Sequence, residues 1–397
     1  MEGLHDHQFC VGETAMSRPL KCWCGNVNLV PFSSSYQKCS VCETLISSQA
    51  GKQNSSATDP ENSFYGKDYW FTHQKEELHQ PDIIQRARQD IPERCIHWLR
   101  TVLKYKFPPG RVLEIGCGHG GFTYLLRQVG FEATGLEISP WVVEFAKKTF
   151  QVPMLLGPVE NQRLEKHSFD AVILIDVLEH LPNPAETLGH CLTLLKPEGA
   201  LILQTPCLPE DKSYQDLVSR QDLFLEMLIE KEHIFLFSQS SIRKLLHRLG
   251  TEHLEFEPAI FSHYDMFLVA RRTPLAPHSH EEVEKALSAS ASGRMVQALF
   301  DLEFQKQQLF QKYTESEADR SERLNQINEL TRLLKESEAD RAARLEQINK
   351  LTQLIEADRA ARLDQINELS RLYAEQKSYL REKIRKGLFY LLKKIID

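Results

Sequence analysis

The chain has 397 residues, of which 42% are hydrophobic, with a net charge of −7 and a pI near 6.1, which is room for two or three structural units. This mildly acidic balance argues against the overall basic footprint of a general nucleic-acid binder, and no apolar run reaches the 18 residues that a spanning helix needs. The start, Met1-Glu2-Gly3-Leu4-His5-Asp6, lacks the basic and apolar regions of a secretory signal, so the expected location is the cytoplasm.

In chain order, the first feature is a cysteine cluster: Cys22 and Cys24, then Cys39 and Cys42. In a reducing compartment four close cysteines point to metal, and four thiolates make a closed tetrahedral zinc site. A structural zinc module is therefore expected over 1–55, with a Ser/Asn/Gly-rich linker at 47–62. Tyr65, Tyr69 and Trp70 then form an aromatic group, either packed as core or folded over a ligand. Apolar residues from Ile83 to Leu103 recur at helical spacing.

From Arg111 strand and helix signals alternate, with strands at 112–115, 131–136, 152–156, 169–175 and 200–204 and helices between them. That alternation predicts βαβ units and a parallel sheet. A helical insertion at 214–231 interrupts it, and a helix from Ser238 and strands at 252–257 and 264–270 complete it. Residues 56–272 make up this domain, and the Pro- and Ser-bearing stretch 273–298 reads as a linker, in part helical.

The chemistry concentrates at Val112-Leu113-Glu114-Ile115-Gly116-Cys117-Gly118-His119-Gly120-Gly121-Phe122. A glycine-rich turn between a buried strand and a helix lets a ligand approach the backbone. Glu137 lies at the end of the following strand, where an acid can hold both ribose hydroxyls. A dinucleotide loop reads G-x-G-x-x-G and presents a helix N-terminus to pyrophosphate. This loop is G-x-G-x-G, and Glu114 beside it suits a cationic ligand. S-adenosylmethionine (SAM), with its methionyl ammonium, is the expected cofactor.

These residues, with Phe169–His180, Leu195–Ala200 and Glu232–Ser238, resemble the class I SAM-dependent methyltransferases, in particular the small-molecule and sugar branch with a ubiquinone-methyltransferase-like core. The resemblance covers about Phe64 to Ala270. It implies an α/β, Rossmann-like doubly wound sheet of seven strands, the last antiparallel. It also implies that Val159 and Glu160 lie beside the adenine, that Asp176 sits near the reacting end, and that His233 is the candidate base. His180 is read as a structural residue of the turn after the 169–175 strand, and His119 as packing near the donor. Some sugar methyltransferases are similar in carrying an N-terminal cysteine cluster.

The C-terminal region repeats Glu-Ala-Asp-Arg, starting at Glu317, Glu338 and Glu356. The first two copies are three heptads apart, and the shorter second spacing is a stutter. Leu324, Ile327, Leu334, Leu345, Ile348 and Ile355 follow a/d spacing, interrupted by Glu338 and Arg341. A coiled coil over 299–380 that oligomerises the chain is expected, the alternative being one charged helix held by i,i+4 pairs. Residues 381–397 read as a basic amphipathic helix able to touch a membrane, at the inner face, or to cap a bundle.

The acceptor is the least determined part. A methyltransferase with a long coiled coil is similar to the chain-terminating methyltransferases of O-antigen synthesis, although no kinase-like segment is present here. The resulting expectation is sugar O-methylation in surface polysaccharide synthesis, with glycosyltransferase partners. A quinone-type acceptor, an RNA methyltransferase and a non-catalytic scaffold are the alternatives.

Overall fold

The computed structural model describes residues 20–50, 66–67, 69–77 and 80–396. Tyr65 and the ends of the 1–55 region lie outside them. The chain divides into a compact unit, Met1–Lys306, and a second unit, Gln307–Asp397.

Three short strands open the compact unit: β1 (Leu29–Pro31), β2 (Tyr36–Cys39) and β3 (Leu45–Ser47). Helices α1 (Ile83–Gln89) and α2 (Ile96–Tyr105) follow. The α/β repeat then runs β4 (Arg111–Ile115), α3 (Gly121–Gln128), β5 (Glu132–Glu137), α4 (Pro140–Phe150), β6 (Met154–Leu156), β7 (Phe169–Ile175), α5 (Pro184–Leu194) and β8 (Leu195–Pro206). Helix α6 (Tyr214–Ser219), strand β9 (Phe235–Leu236), helix α7 (Gln239–Arg248) and strands β10 (His253–Glu257) and β11 (Asp265–Arg271) complete it.

The main sheet has seven strands in the order β10-β11-β8-β7-β4-β5-β6. Six of them run in the same direction, and β11 alone is antiparallel, to both β8 and β10. This is the expected doubly wound sheet. Its order reverses at β4, and in such sheets ligands bind at the carboxyl ends of the strands beside the reversal.

The two-residue period of each strand divides the core into two layers. Leu113, Val172, Leu174, Leu201 and Leu203 face α5 and α7. Val112, Ala171, Ile173 and Ile202 face α2 and α3. Helix α2 meets that second layer because Ile96, Leu99, Val102 and Leu103 fall on one side of it.

The stretch 273–298, expected as a linker, contains packed structure. Helix α8 (His280–Leu287) starts from a Ser279–Glu282 capping box, and Leu287 and Val296 are buried in the α2–α3 layer. Helix α9 (Ala291–Ile396) begins inside that stretch and is unbroken for 106 residues. The Ser288–Ala291 run lies between two apolar anchors, Leu287 directly before it and Val296 five residues after it, and these decide its fate. In the second unit every described residue except Glu317 is exposed, including residues 381–393 and Ile395 of the basic segment.

Candidate active site and metal sites

The loop after β4 owes its path to its glycines. At Gly116, with φ +70°, a Cβ would lie 2.4 Å from Val177 Cγ2, so the turn after β7 abuts this loop. Gly118, with φ +50°, faces open space where a Cβ would stand, a cradle for a ligand laid over the backbone. Gly120 N-caps α3.

Glu137 closes the cradle. Its carboxylate accepts from the backbone N–H groups of Ile138 (2.8 Å), Ser139 (3.1 Å) and Gly118 (3.2 Å). Burial raises its pKa, and those three donors oppose the rise. Each carboxylate oxygen has two lone pairs, so the side chain is aimed and still able to accept ribose hydroxyls.

Glu114 is buried at the other edge of the loop and accepts from the Thr123 hydroxyl of α3. Burial pushes its pKa up to about 8. Withdrawn from water, this carboxyl gains most from a cation placed beside it. The open cradle at Gly118, the aimed Glu137 and the uncompensated Glu114 together fit SAM.

Val159 is buried against the α5 side of the core, and the exposed Glu160 accepts from Thr187 on α5. His119 is tied down: Nδ1 accepts from Gly121 N–H (3.0 Å) and Nε2 lies 3.1 Å from Asp90.

The turn after β7 carries the second part of the site. Asp176 adopts φ +53° and its Oδ1 accepts from Gln204 Nε2 at 3.0 Å. Gln204 is set in turn by Trp98, whose indole N–H donates to its Oε1 at 2.9 Å. Glu179, 1% exposed, accepts from Thr205 (2.9 Å). His180 and His233 lie with ring centroids 5.0 Å apart, their Nδ1 atoms on the carbonyls of Glu232 (2.8 Å) and Met227 (2.7 Å). With Nδ1 protonated, each ring carries its lone pair on Nε2.

Burial lowers both imidazoles to about 4 and raises Asp176 and Glu179. The ligand atoms of Glu179, His180 and His233 all lie within 4.8 Å of one another, a donor set able to hold a divalent cation. Glu179, His180 and His233 are brought together, Asp176 acts electrostatically on His233, and His180 bonds the Glu232 carbonyl from the turn after β7. Gln204, Thr205 and Thr123 escaped the sequence reading, because a polar residue in an apolar strand or helix gives no signal of its partner.

Tyr69 and Trp70 are in T-shaped contact 5.4 Å apart, packed with Ile83 and Val142, with Arg86 over the Trp70 ring. Trp70 Nε1 is buried and finds no acceptor among the described residues.

The cysteine cluster forms a second centre. Cys22 and Cys42 sulfurs lie 3.3 Å apart, Cys24 and Cys39 3.6 Å apart, and all four lie within 4.8 Å. A tetrahedral zinc with bonds of about 2.3 Å would need sulfur separations of roughly 3.8 Å, close to these. Cys39 Sγ also accepts from Asn26 Nδ2 (3.3 Å) and Val41 N–H (3.5 Å), contacts suited to a thiolate. The four donors and these outer contacts fit zinc.

This module is built into the catalytic unit. Strand β3 pairs with β9 through Leu45–Leu236 and Ile46–Phe235, making a four-stranded sheet β1-β2-β3-β9. Ser47 N–H donates to Ile234 O (2.9 Å) and Tyr36 OH to His233 O (2.9 Å).

Comparison with known proteins bears on the α/β unit. The methyltransferase domain family matches residues 85–255. The chain carries a class I methyltransferase domain. A ubiquinone biosynthesis O-methyltransferase of Xanthomonas campestris pv. campestris is 33% identical over 128 residues, covering 29% of this chain and 54% of that protein. Its counterpart in Xanthomonas axonopodis pv. citri is 35% identical over the same length and shares. The chain therefore spans about half the length of these curated relatives. Among solved structures, a SAM-dependent methyltransferase of Thermotoga maritima, a possible histamine N-methyltransferase, is 19% identical with a TM-score of 0.37, covering 51% of this chain and 99% of that one. The magnesium protoporphyrin IX methyltransferase of Synechocystis with bound S-adenosylhomocysteine is 20% identical with a TM-score of 0.37, covering 52% and 97%.

Proposed function

We propose that the chain transfers a methyl group from SAM to a hydroxyl of a small-molecule or glycan acceptor, as sugar O-methylation in surface polysaccharide synthesis. The observation that carries the methyl-transfer reading is the cradle at Gly118 closed by Glu137, inside a domain that matches the methyltransferase family. Gly116, Gly118, Gly120 and Glu137 hold the cofactor, whose sulfonium supplies the methyl group, and Glu114 meets its ammonium. The chain's remaining task is to position the acceptor and take its proton. His233 Nε2 is the proton acceptor in this reading.

The glycan acceptor rests on the expected coiled coil, which would space the active site from glycosyltransferases. Zinc holds the cysteine module, the long helix associates with a second copy, and the basic 381–397 segment touches an anionic membrane face. A quinone-type phenol is the second reading, favoured by the names of the relatives matched over 128 residues.

Calorimetric titration with SAM, S-adenosylhomocysteine and NAD tests the cofactor. Micromolar binding of the first two without NAD binding supports the reading, and a folded protein that binds none of them overturns it. Transfer of labelled methyl groups from SAM to nucleotide sugars, lipid-linked glycans or polyhydroxylated quinone precursors then decides the acceptor class.

A further inference from the structure

The long helix has an exposed seam whose charges specify its own partner. In one continuous heptad frame, the seam reads Phe310, Tyr313, Glu317, Arg320, Leu324, Ile327, Thr331, Leu334, Glu338, Arg341, Leu345, Ile348, Thr352, Ile355, Arg359, Arg362, Ile366 and Leu369. The stutter changes which repeat residues occupy it, and Ile366 and Leu369 keep it apolar beyond. Its aliphatic residues are uncovered: Leu334 is 61% and Leu345 59% exposed.

The two threonines do not obstruct burial, because each hydroxyl already donates to a carbonyl one turn back, Thr331 to Ile327 (2.7 Å) and Thr352 to Ile348 (2.9 Å). Glu338 and Arg341 are different. Neighbouring Asp340 and Arg344 pair along the helix at 2.7 Å, whereas neither seam charge has an ion-pair partner among the described residues.

We infer that this seam binds a second copy of the chain in antiparallel orientation, centred between Ala339 and Asp340. In an antiparallel pair each a position faces a d position of the partner. About that centre Glu338 faces Arg341 of the second copy, and Arg341 faces its Glu338. Moving outward, Leu334 meets Leu345, Thr331 meets Ile348, Ile327 meets Thr352 and Leu324 meets Ile355. Further out, Glu317 meets Arg362, Tyr313 meets Ile366 and Phe310 meets Leu369. Flanking positions agree as well: Leu330 comes beside Leu351 and Arg323 beside Asp358.

A single layer, Arg320 against Arg359, opposes like charges, and Glu317 lies 3.3 Å from Arg320 on the same helix. A parallel, in-register pair would set Glu317, Arg320, Glu338, Arg341, Arg359 and Arg362 each against itself. Like charges directly opposed at a buried seam cost several kcal/mol, so the charge pattern selects the antiparallel register.

The inference rests on the reading of the helix as a self-associating element, and charge reversal separates the two. The full-length protein and the variants Glu338→Arg, Arg341→Glu and the double reversal are compared by analytical ultracentrifugation, with circular dichroism reporting the helix. The antiparallel register predicts a wild-type dimer that each single reversal weakens at least about tenfold and the double reversal restores. A dimer indifferent to both single reversals is parallel and overturns the orientation. Weakening without restoration overturns the register. A wild-type protein that stays monomeric up to about 100 μM, well above the Kd of a stable coiled coil, overturns self-association itself, while leaving the methyl-transfer reading to its own titration.

Discussion

The compact unit and the long helix are both rich in charge and treat it in opposite ways. In the compact unit Glu114, Glu137, Asp176 and Glu179 are removed from water, and their pKa values are raised mainly by that burial. On the helix Asp319–Arg323, Asp340–Arg344 and Asp358–Arg362 lie fully in solvent at 2.7–2.9 Å, one such pair in each repeat. Buried carboxyls without a full set of partners store free energy that a ligand can release. Exposed i,i+4 pairs contribute only about 0.3–0.5 kcal/mol each and serve to keep the helix straight and soluble. Charge density alone therefore does not mark a site, whereas charge withdrawn from water does.

That contrast can be tested at graded strength. The largest effect is expected at the zinc cluster: Cys39→Ser, or chelation of the metal, should unfold β1–β3 and expose β9, because metal binding is folding free energy for so small a module. Loss of methyl transfer together with a lower melting temperature checks it; an unchanged melting curve would remove zinc from the account. Next comes Glu137→Ala, which should weaken SAM binding tenfold or more, at least about 1.4 kcal/mol, read by calorimetry.

Glu114 gives a pH signature. Its folded pKa, about 8, lies above the ordinary 4.5, so its contribution to stability is complete below 4.5 and is lost as pH rises through 8. The melting temperature of the SAM-free protein should fall across that window, and Glu114→Gln should flatten the fall. At pH 7 SAM should release close to one proton as its ammonium draws Glu114 into the charged form. Titrations in buffers of different ionisation enthalpy read that proton.

Tyr36→Phe removes only the hydroxyl that holds His233 O and should cost about 1 kcal/mol. It should lower kcat a few-fold with SAM affinity unchanged; an equal loss in both would make Tyr36 a packing residue. At the weak end, Arg332→Ala breaks two exposed pairs, to Glu329 and Glu336, and should leave the melting temperature essentially unchanged. A larger loss would show that helical charge carries more than solubility.

Much of the architecture was legible in the sequence because it is written in local period. Val112 and Leu113 alternate between layers, Ile96, Leu99 and Leu103 return to one helix face, and the Cys22–Cys42 spacing announces four converging sulfurs. The glycine loop was legible for a similar reason, since only glycine accepts Gly116's approach to Val177. What could not be read was pairing across distance. Nothing near Ile46 names Phe235 as its neighbour, and nothing in Glu160 shows that Thr187 will claim it. The 273–298 stretch misled because Pro and Ser describe a chain's local freedom, whereas Leu287 and Val296 are fixed by a surface that α2 and α3 provide.

The β3–β9 pairing also has a consequence for how the molecule is made. Cys22–Cys42 leave the ribosome well before β9, and their segment can take up metal before β9 is made. The strand that completes their sheet, Phe235–Leu236, is synthesised some 190 residues later. At translation speeds of about 5–20 residues per second, the module waits on the order of ten seconds or more with an open edge. With zinc bound as proposed, metal capture would precede sheet closure, and the loop would hold the N-terminal strands in shape until Phe235–Leu236 covers them.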